Sequence, residues 1–173
     1  TLASEFENLA VLDPANTTAF TLNGNTLDNQ ITGAAGDDNI SAGTGADTVF
    51  GGDGNDTLSG GDGADSLSGG NGADSLNAGV GADTVFGGAG NDSILTTGDG
   101  LADRIYGEAG ADTFIAGSGA DTISGGDDGD TINGGAGNDL IEGDEGNDFL
   151  FPSFGVDTLL GGAGNDTLQA NMD

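Results

Sequence analysis

From Ile31 onward, an apolar side chain recurs every nine residues: Ile31, Ile40, Val49, Leu58, Leu67, Leu76, Val85 and Ile94. After a slip of two residues the series resumes as Ile105, Phe114, Ile123, Ile132, Ile141, Leu150, Leu159 and Leu168. Most of these residues sit between polar neighbours, as in Thr57-Leu58-Ser59. Polar–apolar–polar alternation is the period-two signature of a short strand with its middle residue turned inward. The six residues between strands are dense in glycine and predict turns. Position four is glycine in thirteen copies, which suggests a backbone with φ > 0 or the close approach of another segment. A three-residue strand and a six-residue turn, repeated in one sense, cannot close as hairpins. Winding two units into each coil lets every strand pair with the strand two copies later. The expected fold is all-β: a parallel β-solenoid of about eight 18-residue coils with two facing parallel sheets. Its core is thin and its length is roughly 35–40 Å at about 4.8 Å per coil.

The frame divides the chain. Residues 1–23 lack the loop pattern but contain Phe6-Glu7-Asn8-Leu9-Ala10-Val11 and Thr18-Ala19-Phe20-Thr21-Leu22, with Leu22 nine residues before Ile31. They are expected to extend or cap the solenoid with metal-free strands, because a bare coil end exposes both core and unpaired backbone. Eight units fill residues 24–95, Thr96-Thr97 form an insertion, and eight more units fill residues 98–169. Residues 170–173 read as a cut tail, so a larger parent protein is expected.

The sixth position carries the chemistry. It is aspartate in fifteen of sixteen units and asparagine (Asn29) in the first. Two units per coil sort these residues into two columns. One edge takes Asp38, Asp56, Asp74, Asp92, Asp112, Asp130, Asp148 and Asp166. The other takes Asp47, Asp65, Asp83, Asp103, Asp121, Asp139 and Asp157, headed by Asn29. Like charges stacked at strand spacing repel unless cations separate them. Calcium suits such gaps, since it takes six to eight oxygens and accepts carbonyls beside carboxylates. The chain has 30 acidic residues against one basic residue, Arg104, for a net charge of −29. Divalent ions in the gaps would offset most of that charge, and about 8–12 calcium ions are expected once irregular loops are discounted. The same charge excludes nucleic acid and anionic membrane surfaces as partners. With no histidine or cysteine, disulfides, thiolate metal sites and a histidine or cysteine base or nucleophile are absent, and no enzyme is expected.

Units such as Gly51-Gly52-Asp53-Gly54-Asn55-Asp56-Thr57-Leu58-Ser59 and Gly161-Gly162-Ala163-Gly164-Asn165-Asp166-Thr167-Leu168-Gln169 resemble the repeats-in-toxin (RTX) nonapeptide G-G-x-G-x-D-x-U-x over residues 24–169. The resemblance implies a right-handed, calcium-loaded parallel β-roll in a protein exported from a Gram-negative bacterium by a type I system. It implies that each ion is held by sixth-position aspartates of two same-edge loops together with loop carbonyls. Four loops depart from the pattern and are expected to weaken their sites. They are the first (Leu27, Asn29), the ninth (Gly98 to Asp103), the twelfth (Asp128 beside Asp130) and the fifteenth (Pro152 to Asp157).

Two surface features bear on the wider role. Position seven is mostly Thr or Ser, which strand propensity on a wet face accounts for; an ice-binding hydroxyl array is the remote alternative. Apolar residues Leu140, Phe149, Phe151, Phe154 and Leu160 crowd the C-terminal third and are expected to contact a neighbouring domain or a like subunit. The preferred reading is a calcium-binding structural module of a secreted surface-layer or adhesin-type protein. The alternative is the export and folding module of a secreted enzyme or cytolysin.

Overall fold

The computed structural model describes residues 7–96 and 99–170. The start of the Phe6–Val11 segment, Thr97 of the insertion, Gly98 of the ninth loop and residues 171–173 of the tail lie outside the described residues. Among the described residues, eighteen strands form two nine-stranded parallel sheets, each built from alternate strands. One sheet runs β1 (Asn8–Ala10), β3 (Gln30–Thr32), β5 (Thr48–Asp53), β7 (Ser66–Asn71), β9 (Thr84–Ala89), β11 (Arg104–Ala109), β13 (Thr122–Asp127), β15 (Leu140–Asp144), β17 (Thr158–Leu160). The other runs β2 (Thr21–Asn25), β4 (Asn39–Thr44), β6 (Thr57–Asp62), β8 (Ser75–Val80), β10 (Ser93–Leu95), β12 (Thr113–Ile115), β14 (Thr131–Asn133), β16 (Phe149–Phe151), β18 (Thr167–Leu168). The chain is therefore a parallel β-solenoid, and every repeat strand pairs with the strand two units on, as expected.

Nine coils are present rather than eight. The extra coil comes from the N-terminal strands, where Leu9 pairs with Ile31 and Leu22 with Ile40. Leu22 is buried in the core line, and Leu9, Val11 and Phe20 pack against it. The core itself is the eighth-position series: every member from Ile31 to Leu150 is at most 1 % exposed. Burial falls off at the last coil, where Leu168 is 47 % exposed.

Strands in the regular tract are twice the expected length. Thr57–Asp62 and Ser66–Asn71 run through positions seven to nine and on through positions one to three, leaving only positions four to six as turn. A small residue at position one accompanies this continuation, glycine in most units and alanine at Ala42 and Ala78. A Cβ on Gly69 would lie 2.3 Å from Asp74 Oδ2 and 2.5 Å from the Gly87 carbonyl oxygen. At position four the reason is the expected one: Gly72 has φ of 138°, and a Cβ there would lie 1.9 Å from the Gly54 carbonyl oxygen.

The slip in the repeat falls later than its sequence position suggests. Thr96 is buried, and its N–H donates to Ile115 O, the bond that Ala116 makes to Asn133 O one coil on. Thr96 thus stands in position one, in line with Ala78 and Ala116, and the extra length lies between it and Gly100. The predicted C-terminal apolar cluster is also divided. Leu140 and Leu160 stand on the odd-numbered sheet, whereas Phe149 and Phe151 meet at a tilt of 54° on the opposite sheet with centroids 5.0 Å apart. The odd-numbered sheet carries an aromatic pair of its own, Phe86 on Tyr106 at 5.1 Å.

Candidate metal centre

All sixteen sixth-position residues fall where the two-column reading puts them, each in the turn that precedes a strand. From Asp38 to Asp148 the aspartates are at most 3 % exposed, so burial and not only alignment brings them together. Each carboxylate spends one oxygen on the neighbouring coil. The Asp56 N–H donates to Asp74 Oδ1 at 2.7 Å, Asp74 N–H to Asp92 Oδ1 at 2.8 Å, and Asp92 N–H to Asp112 Oδ1 at 2.7 Å. On the other edge the Asp47, Asp65 and Asp121 N–H groups donate to Asp65, Asp83 and Asp139 Oδ1 at 2.8, 2.8 and 3.0 Å. The ladder runs unbroken on both edges, ending at Asp157 and Asp166.

The second oxygen is left over. In twelve aspartates Oδ2 is buried without a hydrogen-bond partner: Asp47, Asp56, Asp65, Asp74, Asp83, Asp92, Asp112, Asp121, Asp130, Asp139, Asp148 and Asp157. A buried carboxylate oxygen with nothing to accept is costly unless a cation serves it. A carbonyl oxygen of the next coil comes to the same side of the turn: the place a Cβ on Gly51 would take lies 2.3 Å from Asp56 Oδ2 and 2.5 Å from Gly69 O, and that on Gly125 lies 2.2 Å from Asp130 Oδ2 and 2.6 Å from Gly143 O. The donors are all oxygen, as a hard cation requires. No group of three or more His, Cys, Asp or Glu side chains gathers at one point among the described residues. The aspartates stand in single file, so an ion here would complete its shell with main-chain carbonyls.

Electrostatics carry the same message. Burial pushes the Asp56, Asp112, Asp121 and Asp130 carboxyls up to about 7, against the lowering effect of the ladder hydrogen bond, with neighbouring column charges adding to the rise. Asp65, Asp83, Asp92 and Asp139 rise to about 6 for the same first cause. Burial also raises Asp47, Asp74, Asp103 and Asp148. Without a cation these carboxyls give up their protons less readily than an ordinary aspartate.

The irregular loops behave individually. Asp130 and Asp157, in loops expected to weaken their sites, keep the unpartnered oxygen, whereas Asn29, Asp38 and Asp103 do not. Asp38 Oδ2 accepts from the Ala34 N–H at 2.9 Å, and Asn29 Oδ1 accepts from the Asn25 N–H at 2.7 Å. Asp103 lies beside the Thr96 hydroxyl, which also donates to the Ala116 carbonyl. A second ladder, at position five, had escaped the sequence reading. Asp37, Asn55, Asn91 and Asn147 accept from the backbone N–H of Asn55, Ala73, Ala111 and Asn165 in the following coil, at 2.8, 2.8, 3.0 and 2.9 Å. Its signal was the recurrence of Asn and Asp before the sixth-position aspartate.

The family model for the RTX calcium-binding nonapeptide repeat, four copies long, matches residues 23–58, 59–94, 97–132, 124–159 and 151–173. Among curated proteins none matches the chain. With the repeat, its coiled parallel sheets and its oxygen-lined edges in place, the chain belongs to the RTX calcium-binding nonapeptide-repeat family.

Proposed function

We propose that this segment is a non-catalytic, calcium-stapled rod of a secreted, cell-surface protein of the surface-layer or adhesin type. The observation that carries the calcium assignment is the set of twelve buried, unpartnered Oδ2 atoms in two files. In this reading each cation neutralises carboxylates of successive coils, with loop carbonyls completing its shell. Holding coils together in this way makes binding free energy into folding free energy. The rod would then fold where calcium is plentiful, outside the cell. The surface role draws support from the length of the array, from its single cation Arg104, and from apolar side chains left on its faces, such as Phe50 and Ile115 at 41 % and 48 % exposed. The partners are neighbouring domains or like subunits.

Metal analysis after dialysis against millimolar calcium tests the ligand assignment. About 8–12 ions per chain are expected, against none after dialysis with chelator. A count of one or two would sink the two-file array. Sedimentation with and without calcium tests the assembly role, and a strictly monomeric rod at high calcium would count against it.

A further inference from the structure

From Asn29 to Asp157, leaving aside the ninth unit, position two of the repeat separates the sixth-position residues that keep an open buried oxygen from those that do not. From Gly43 to Gly162, leaving aside the ninth unit, every position-two residue has a left-handed backbone. This holds even where the residue is not glycine: Glu108, Asp144 and Ser153 have φ of 75°, 68° and 69°. Such conformations are strained for side-chain-bearing residues and persist only where the surroundings demand them. Each of these three precedes an aspartate with a buried, unpartnered Oδ2, namely Asp112, Asp148 and Asp157. In the first two units the position-two residues Asn25 and Ala34 are not left-handed, and there the position-two N–H caps the sixth-position side chain.

We propose that the backbone at position two is the gate of each cation site. A left-handed residue withholds its N–H and leaves Oδ2 open to calcium. Any other conformation delivers the N–H to the carboxylate and closes the site. Asp38, which has the sixth-position aspartate and stands in the file, therefore holds no ion, and Ala34 is the reason. The inference rests on the calcium reading above and narrows it to a rule about which loops load.

The test is a gain of binding. Ala34→Gly supplies a residue that adopts left-handed φ freely. Bound calcium per chain, measured by metal analysis at saturating calcium, should rise by one ion. The amide of residue 34 should lose hydrogen-exchange protection in the calcium-loaded protein. Asp38→Asn in the otherwise unchanged protein should leave the count as it was, and the double substitution should cancel the gain. An unchanged count in Ala34→Gly, or an ion lost in Asp38→Asn, overturns the gate. Asp74→Asn separates the two levels. If it lowers the count while Ala34→Gly adds nothing, the array stands and the gate falls. If neither variant nor the unchanged protein binds calcium, the array itself falls.

Discussion

Along one edge of the rod, Asp56, Asp74, Asp92, Asp112, Asp130 and Asp148 form an unbroken file of buried carboxylates with Oδ2 free. The opposite edge carries the same residue in the same place but is interrupted at Asp103, between Asp83 and Asp121. The interruption comes from outside the motif. Thr96 occupies the position that glycine, alanine or, at Pro152, proline fills elsewhere, and its hydroxyl sits between the Asp103 carboxylate and the Ala116 carbonyl. One edge should therefore load as a single cooperative file and the other as two shorter ones.

The largest expected difference between the edges comes from removing one carboxylate on each side of the same coil. Asp92→Asn should raise the calcium midpoint about tenfold, equivalent to about 1.4 kcal/mol. Asp103→Asn should shift it less than about twofold, because no ion is lost, and the main-chain bond from Asp83 N–H to Asp103 Oδ1 survives in asparagine. Equal shifts in calcium titrations of the two variants would erase the distinction. Next in size, Thr96→Ala places at position one the residue already found at Ala78 and Ala116. It should add an ion at Asp103 while costing the metal-free form about 1 kcal/mol for the lost hydroxyl bond, read by metal analysis and by denaturation in chelator at acid pH, where the metal-free fold is favoured.

Acidity should affect both edges in one direction. Asp carboxyls raised from 3.8 to about 6 or 7 favour the protonated, folded form. Their contribution to metal-free stability is fully present below 3.8 and is lost as pH rises through about 6 to 7. In chelator, β-structure followed by circular dichroism should therefore increase from pH 7 towards pH 4. With calcium present the opposite holds, because protons compete for the ligands and the calcium midpoint should rise as pH falls below about 6. The smallest effect belongs to the position-five ladder. Asn55→Ala removes the acceptor for the Ala73 N–H and should cost about 0.5–1.5 kcal/mol in thermal unfolding with calcium. Ala64 and Ala82, in position five on the other edge, have no such bond to lose.

Nine-residue periodicity was enough to place the core, because a thin solenoid admits one inward side chain per strand. Leu22 showed the same phase, and the first coil follows from it. The two aspartate files were legible for the same reason: two strands per coil leave two edges. What the sequence hid lies in the backbone. Positions one to three read as turn because they are rich in glycine, yet they pair as strand whether position one is glycine, as at Gly60, or alanine, as at Ala78. The register at Thr96 was hidden because Gly98-Asp99-Gly100 imitates the start of a unit, while burial and hydrogen bonding assign that start to Thr96. In the gate proposed above, the state of Oδ2 outside the ninth unit follows the peptide at position two, which a motif containing an aspartate cannot display.

The central claim is that calcium between carboxylates holds the coils together. It is tested most directly by titrating calcium into chelator-treated protein and following β-structure by circular dichroism. A coil-like chain without calcium, folding cooperatively at millimolar calcium, is the predicted result. Full β-structure at neutral pH in excess chelator would contradict it.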